Sequence, residues 1–221
     1  MSKNSSGLSG PAYHHILQMI MTKQLLPGEK IPETKIAQEF NISRTPVRDA
    51  MRQLSNEGLI DIFPNRFAQV RTYTDEEIME IGVVRIALDT MAIKLACLFG
   101  SRADFLHLSE IADACTVASE QGDGEKRRET DSEFHLELAK IAGNSLLLKY
   151  QKELYLRVQF ILLHHPNPVD DERKHLRQHH EIAEALMNHK EAEALDGIVD
   201  HLTSFYGLRG KFPDEFFQPT L

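Results

Sequence analysis

The sequence predicts a mainly α-helical chain in two parts. A small helix-turn-helix unit closed by a β-hairpin comes first, and an antiparallel bundle of helices follows. Three observations predict it. Arg44, Arg48 and Arg52 recur every fourth residue beside an apolar stripe. Two short strand-like runs then flank Pro64-Asn65-Arg66, and from Thr74 onward helix signals repeat with no strand pattern among them.

Each element carries its own signals. Residues 1–11, rich in Ser and Gly, lack the apolar core of a signal peptide and are expected to form a disordered leader. Tyr13, Ile16, Leu17 and Ile20 then follow helical spacing up to a break near Pro27-Gly28. Glu33 to Phe40 reads as a short helix with Ile36, Ala37 and Phe40 inward, and Asn41-Ile42 is a tight link. The next helix is well marked. Ser43 suits an N-cap, Pro46 falls in the first turn where no hydrogen bond is lost, and Gly58 supplies a left-handed stop. Val47, Ala50, Met51 and Leu54 form the stripe that docks it on a core, while the three arginines share another edge. Leu59–Phe63 and Phe67–Arg71 read as a hairpin with a basic tip, a wing. Helix, helix, basic helix and wing within residues 12–73 suit a nucleic-acid groove. Solvated arginines on an ordinary surface helix are the plainer account of the same spacing.

The whole chain agrees with an intracellular binding protein. Its 221 residues allow one large or two modest domains, and 42% hydrophobic content is enough for packed cores. No apolar run approaches a membrane span. Cys97 and Cys115 suggest neither a disulfide framework nor a zinc knuckle, so a reducing cytoplasm is expected. The net charge is −8, yet it is unevenly placed. Residues 1–73 hold nine Lys and Arg against six Asp and Glu, so the acidity lies entirely in the rest of the chain. A basic head on an acidic body presents one face to phosphate.

The second part, residues 74–208, reads as six helices. Thr74 and Glu77 form a capping box for a helix to about Gly100, and Ser101 caps another ending near Gln121. Further helices run from about Glu125 to Ala142, from Ser145 to before Pro166, from Asp170 to His189, and from Glu191 to Gly207. Short connections make this an antiparallel bundle. In the tail, residues 209–221, Phe212, Phe216 and Phe217 are expected to pack back onto the body. Asp131 and His135 stand four apart, so carboxylate and imidazole share one helical face, and His179 and His201 lie on the last two helices. Three imidazoles and a carboxylate suit a divalent transition metal with positions left open. The chain has 11 histidines, however, and an Asp-x-x-x-His pair is also a common surface ion pair.

Several runs resemble a known family. Leu26-Pro-Gly-Glu-Lys-Ile31, Ile36-Ala-Gln-Glu-Phe40 and Ser43-Arg-Thr-Pro-Val-Arg-Asp-Ala-Met51 resemble the winged helix of GntR-family bacterial transcription regulators. Asp131-Ser-Glu-Phe-His135, Ala142-Gly-Asn144, His179-His-Glu-Ile182 and Asp200-His-Leu202 resemble the FCD domain of the FadR-type branch. The resemblance covers nearly all of residues 12–207. It implies DNA contacts by Ser43, Arg44, Thr45 and Arg48, with Arg66 in the wing; Arg52, a turn or more further along the helix, is expected to serve the backbone. A glycine is usual where Phe67 stands, which makes the wing contact depend on that side chain. It further implies one divalent metal (zinc, nickel or manganese) held by Asp131, His135, His179 and His201, with His180 the alternative to His179. Arg85 matches a position that meets an effector's carboxylate, and Asn144 and Arg157 are further candidates for that cavity. The family more often has glutamate where Asp89 stands.

The leading reading is therefore a cytoplasmic, metabolite-responsive DNA-binding regulator, a repressor by the family's commoner habit. It would bind a palindromic operator as a homodimer and respond to a small carboxylic acid. The alternative is a helical metal-dependent hydrolase with an appended nucleic-acid module, for which no acid or base beyond the ligands stands out.

Overall fold

Two apolar patterns build two separate cores. The computed structural model describes residues 6–64, 66–164, 172–213 and 215–217, and the chain divides into two compact units that part between Tyr73 and Thr74, with Leu163 and His164 at the end of the fourth bundle helix grouped with the first. Asn65, the Pro166–Pro168 break, the expected helix start at Asp170 and the end of the tail lie outside the described residues.

The first unit comprises helices α1 (Ser6–Met21), α2 (Glu33–Glu39) and α3 (Arg44–Asn56), then strands β1 (Ile60–Phe63) and β2 (Phe67–Val70). Ala12, Ile16 and Ile20 on α1 and Val47, Ala50 and Leu54 on α3 are fully buried where the two helices pack. The Tyr13 hydroxyl donates to Glu57 Oε2 at 2.8 Å and ties α1 to the end of α3. Gly58 adopts φ +82° just past α3, which lets Leu59 N–H reach Leu54 O at 2.9 Å and turn the chain into β1. The strands pair antiparallel from Ile60↔Val70 to Phe63↔Phe67. The hairpin is therefore the expected wing. One boundary differs. α1 begins at Ser6, inside the segment expected to be a disordered leader, and continues through Pro11. The Ser- and Gly-rich composition there offers no apolar periodicity from which to extend the helix.

The second unit contains α4 (Asp75–Phe99), α5 (Arg102–Glu120), α6 (Gly124–Ile141), α7 (Ser145–His164), α8 (Glu172–Met187) and α9 (Glu191–Phe205). Its helix starts are chemically explicit. Thr74 with Glu77 and Ser101 with Asp104 complete reciprocal capping boxes, and Asp123 accepts from Lys126 N–H at the start of α6. α5 packs on α6 and α8, while α9 packs on α4 and α8. Ile93, Phe105, Phe134, Leu138, Leu186 and Ile198 belong to the apolar core. Phe212 and Phe217 pack against it as expected, whereas Phe216 is 54% exposed. Among the described residues no helix is long and apolar enough to cross a membrane.

Gly82 on α4 shows how closely the core is fitted. A Cβ there would stand 2.5 Å from Tyr206 Cγ, so the missing side chain lets the tyrosine ring lie against α4. In an exposed helix Gly→Ala stabilises by up to about 1 kcal/mol. Here overpacking reverses the sign, and Gly82→Ala is expected to destabilise by about 1–3 kcal/mol in denaturant unfolding. An unchanged or raised midpoint would show that the ring moves aside freely.

Candidate nucleic-acid interface and buried ligand cluster

The arginine edge of α3 is exposed along its length. Ser43, Arg44, Thr45 and Arg48 face outward in its first turns and Arg52 further along, and Ser43 occupies the N-cap position without a side-chain capping bond. Arg44 Nε and Arg48 Nε both donate to Glu33 Oε1, at 2.8 and 2.7 Å. Arg52 Nη1 donates to Asp49 Oδ1 at 2.6 Å. A groove of about 510 Å³ runs between α3 and the hairpin, lined by Arg44, Arg48, Arg52 and Arg66 among others. Exposed Arg66 thus joins the recognition-helix arginines on one concave surface. Phe67 packs on Phe63, with ring centroids 4.8 Å apart, and Lys30 Nζ lies 4.4 Å from the Phe67 centroid. Its ring is held within the hairpin. Glu33, which holds two arginines, was not legible as a site residue because its partners lie 11 and 15 residues away across a turn.

The second unit buries a polar cluster at its centre. α6 contributes Asp131 and His135, α8 contributes His175 and His179, and α9 contributes His201. Ligand atoms of Asp131, His175, His179 and His201 all lie within 4.8 Å of one another. His175 Nε2 and His179 Nε2 stand 3.4 and 3.6 Å from Asp131 Oδ1, and the His175 ring stacks on His201 with centroids 3.7 Å apart. His135 is fully buried beside them, its ring 5.3 Å from those of His179 and His201. Its Nδ1, however, stands 3.3 Å from Asp89 Oδ2 without hydrogen-bond geometry. Of the four converging residues, the family resemblance named Asp131, His179 and His201, and His175 was missed. The signal was present, since His175 precedes His179 by one helical step of four. The neighbouring His180 faces away from the cluster, 3.1 Å from Thr116 on α5.

Arg85 forms the adjoining wall and is 1% exposed, deep in the bundle. Its Nε donates to the Tyr155 hydroxyl at 2.8 Å and its Nη1 to the Tyr206 hydroxyl at 3.2 Å. Asp89 accepts from Gln151 through Oδ1, and its Oδ2 is 3.5 Å from Arg85 Nε. The other two effector candidates lie elsewhere. Asn144 is exposed, and its Oδ1 accepts from Leu146 and Leu147 N–H, so it caps α7 rather than lining a cavity. Arg157 is half-buried on α7, two residues from Tyr155 and therefore on a different face of that helix from the one reaching Arg85.

Electrostatics prepare the cluster for a cation. Burial pushes the His179 and His201 imidazoles well below their ordinary range, and burial together with Arg85 lowers His135. Burial would raise Asp131, but its hydrogen bond with His175 holds it well below the usual carboxylate range. A carboxylate beside neutral imidazoles is the protonation state metal binding needs. Both ring nitrogens of His135, His179 and His201 are buried without a hydrogen-bond partner. Ligands about 2.1 Å from an ion stand about 3.4 Å apart in tetrahedral geometry and at most about 4.2 Å apart when opposed, so a contraction on the order of an ångström closes the cluster. The residues therefore fit a divalent ion.

Residues 8–70 match the family described as bacterial regulatory proteins, gntR family, and residues 80–204 match the FCD domain. The chain belongs to the FCD-containing GntR regulators. It is 27% identical over 193 residues to the Nta operon transcriptional regulator of Aminobacter aminovorans, covering 85% of this chain and 88% of that one. It is 26% identical over 182 residues to the transcriptional repressor RspR of Escherichia coli, covering 80% and 78% of the two chains. The fold is also that of a GntR regulator from Rhodococcus sp. RHA1, with a TM-score of 0.78 at 19% identity over 92% of this chain and 97% of that one. Escherichia coli McbR/YncC superposes with a TM-score of 0.74 at 21% identity over 94% and 97%. This GntR protein is a DNA-binding transcriptional regulator, and the hydrolase alternative falls.

The buried imidazoles make the metal-free regulator sensitive to acid. Folded His135, His179 and His201 titrate below the 6.5 of the unfolded chain, so the unfolded state binds more protons as pH falls through that value. The sign is loss of stability on acidification, up to about 1.4 kcal/mol per pH unit for each group. Asp131 adds a further loss as pH falls through 3.8 and below. Chelator-treated protein should therefore show a falling unfolding midpoint between about pH 7 and about pH 5.5. A flat profile there would show that the imidazoles protonate freely in the folded state.

Proposed function

We propose that this regulator is a metabolite-responsive repressor holding one divalent metal in its bundle. The observation that carries the metal is the buried lone-pair nitrogen that each of the partnerless imidazoles His135, His179 and His201 brings near the Asp131 carboxylate. Orphaned polar atoms at such depth cost about 1–3 kcal/mol each, and an ion offsets that cost for each nitrogen it binds. Asp131, His179 and His201 form the core of the ligand set. The resemblance adds His135 and proximity adds His175. Zinc, nickel and manganese all suit imidazole with carboxylate, and availability selects among them.

The effector is a small carboxylic acid that reaches the metal with one end and Arg85 with the other. Arg85 stays charged, because the surrounding phenols and Asp89 and Asp131 overcome the lowering by burial. Its Nη2 is buried with no hydrogen-bond partner, which leaves one prong of the guanidinium fork for a carboxylate. Binding changes operator affinity only to the extent that the ligand favours one state of the protein, typically 1–3 kcal/mol of coupling. The repressor assignment is supported by the similarity to RspR, itself named a repressor. A homodimer on a palindromic operator in the cytoplasm completes the reading, since two-fold sites are met by two-fold proteins. Ser43, Arg44, Thr45, Arg48 and Arg52 contact the duplex from α3, and Arg66 reaches it from the wing.

Two experiments test this reading. Untagged protein should carry about one divalent metal per chain, and joint His179→Ala and His201→Ala substitution should abolish it. Wild type that stays metal-free after incubation with zinc, nickel and manganese would remove the metal. Arg48→Ala should weaken operator binding more than binding to random duplex, by about 1–3 kcal/mol of discrimination. Equal losses on both duplexes would confine Arg48 to phosphate contact.

A further inference from the structure

We propose that the buried site is charge-matched to a singly charged anion and that Asp89 sets the match. This rests on the metal-and-carboxylate reading above and narrows its ligand class. Among the described residues of the second unit, the buried Asp, Glu, Lys and Arg side chains are Arg85, Asp89 and Asp131. Asp131 belongs to the metal cluster, whereas Asp89 is turned toward the effector side. Its Oδ1 accepts from Gln151 Nε2 at 2.5 Å, and its Oδ2 lies 3.5 Å from Arg85 Nε and 3.3 Å from His135 Nδ1. Asp89 is 0% exposed, so bulk water does not screen it.

Charge then limits what the site accepts. Metal-bound imidazole is neutral. A divalent ion with Arg85, set against Asp131 and Asp89, leaves a single positive charge in the interior. An uncompensated charge there costs several kcal/mol, so one carboxylate completes the site and a second overshoots it. The remaining hydrogen-bond donors agree with one small anionic group. Arg85 Nη2 lacks a partner, and the Tyr155 and Tyr206 hydroxyls, which accept from Arg85, keep their own protons to donate. Had Asp89 been uncharged, the same pocket would carry two positive charges and favour a dianion.

The test uses full-length, metal-loaded protein and acid pairs differing by one carboxylate, propionate with succinate and lactate with malate. Calorimetric titration of wild type should favour the monoanion of any pair that binds by at least about tenfold. Asp89→Asn, which keeps the shape and the Gln151 contact, should shift that preference toward the dianion by a similar factor, with metal content measured alongside. Arg85→Gln moves the charge the other way and should favour propionamide over propionate, which keeps the test open if Asp89→Asn loses metal. A dianion preference in wild type overturns the charge match alone. So does an equal loss of both pair members in Asp89→Asn with metal retained. Binding of no acid to metal-loaded protein removes the carboxylate reading and this inference with it.

Discussion

The second unit is organised around polar groups that its own side chains leave unsatisfied. Burying three imidazoles without hydrogen bonds opposes folding, and the surrounding helices are committed to it by spacing. Three helices each deliver two groups to the interior at i, i+4, namely Arg85 with Asp89, Asp131 with His135, and His175 with His179. Tyr155, Tyr206 and His201 arrive singly from α7, the end of α9 and α9 itself. Even a packing detail serves this arrangement. The bare Cα of Gly82 admits the Tyr206 ring, and the ring brings its hydroxyl to Arg85. A helical bundle can bury leucine almost anywhere, whereas this cluster carries a desolvation cost that a bound ligand would offset.

The nucleic-acid face follows a different economy, because its charges remain in water. Glu33 holds both Arg44 and Arg48, with the arginine side chains 54% exposed. Exposed pairs of this kind contribute about 0–1 kcal/mol each, so they orient the guanidinium groups without locking them. A phosphate or a guanine edge can displace Glu33 at little cost, and the arginines meet it already extended along one side of α3. The acid also cancels part of the basic potential wherever no duplex lies in the groove. Together with the acidic bundle, it favours a fitted duplex over a merely adjacent one.

What was legible in the sequence was local, and what was not depended on which faces meet. The capping boxes at Thr74 and Ser101, the stop at Gly58 and the hairpin about Arg66 are written in consecutive residues, and the structure reproduces them. The face shared by Asp131 and His135 was equally readable. Periodicity names a face but not its neighbour, however. Nothing local says that His175 comes to lie on His201, or that Asp89 stands between His135 and Arg85. The capping role of Asn144 is local in the same way as the capping boxes, since an Asn before a helix satisfies nearby backbone donors. The start of α1 was hidden because Ser and Gly carry no periodic signal.

The unsatisfied atoms also separate two ligands by chemistry. Around Asp131 each neutral imidazole buries one lone-pair nitrogen, which a cation can satisfy, and one N–H. Beside Asp89 the open donor is Arg85 Nη2, which no metal can satisfy and an oxyanion can, while Asp89 Oδ2 and Gln151 Oε1 are open acceptors. His135 lies at the border, its Nδ1 near Asp89 and its ring stacked 5.6 Å from Tyr155, which itself accepts from Arg85. A group that binds the metal therefore presses on the same residues that position the arginine. Ligands at two such halves cannot act independently, because each alters the field and the packing that the other meets. On the proposed reading, the metal-loaded bundle is the receptor and the anion is the variable it reads.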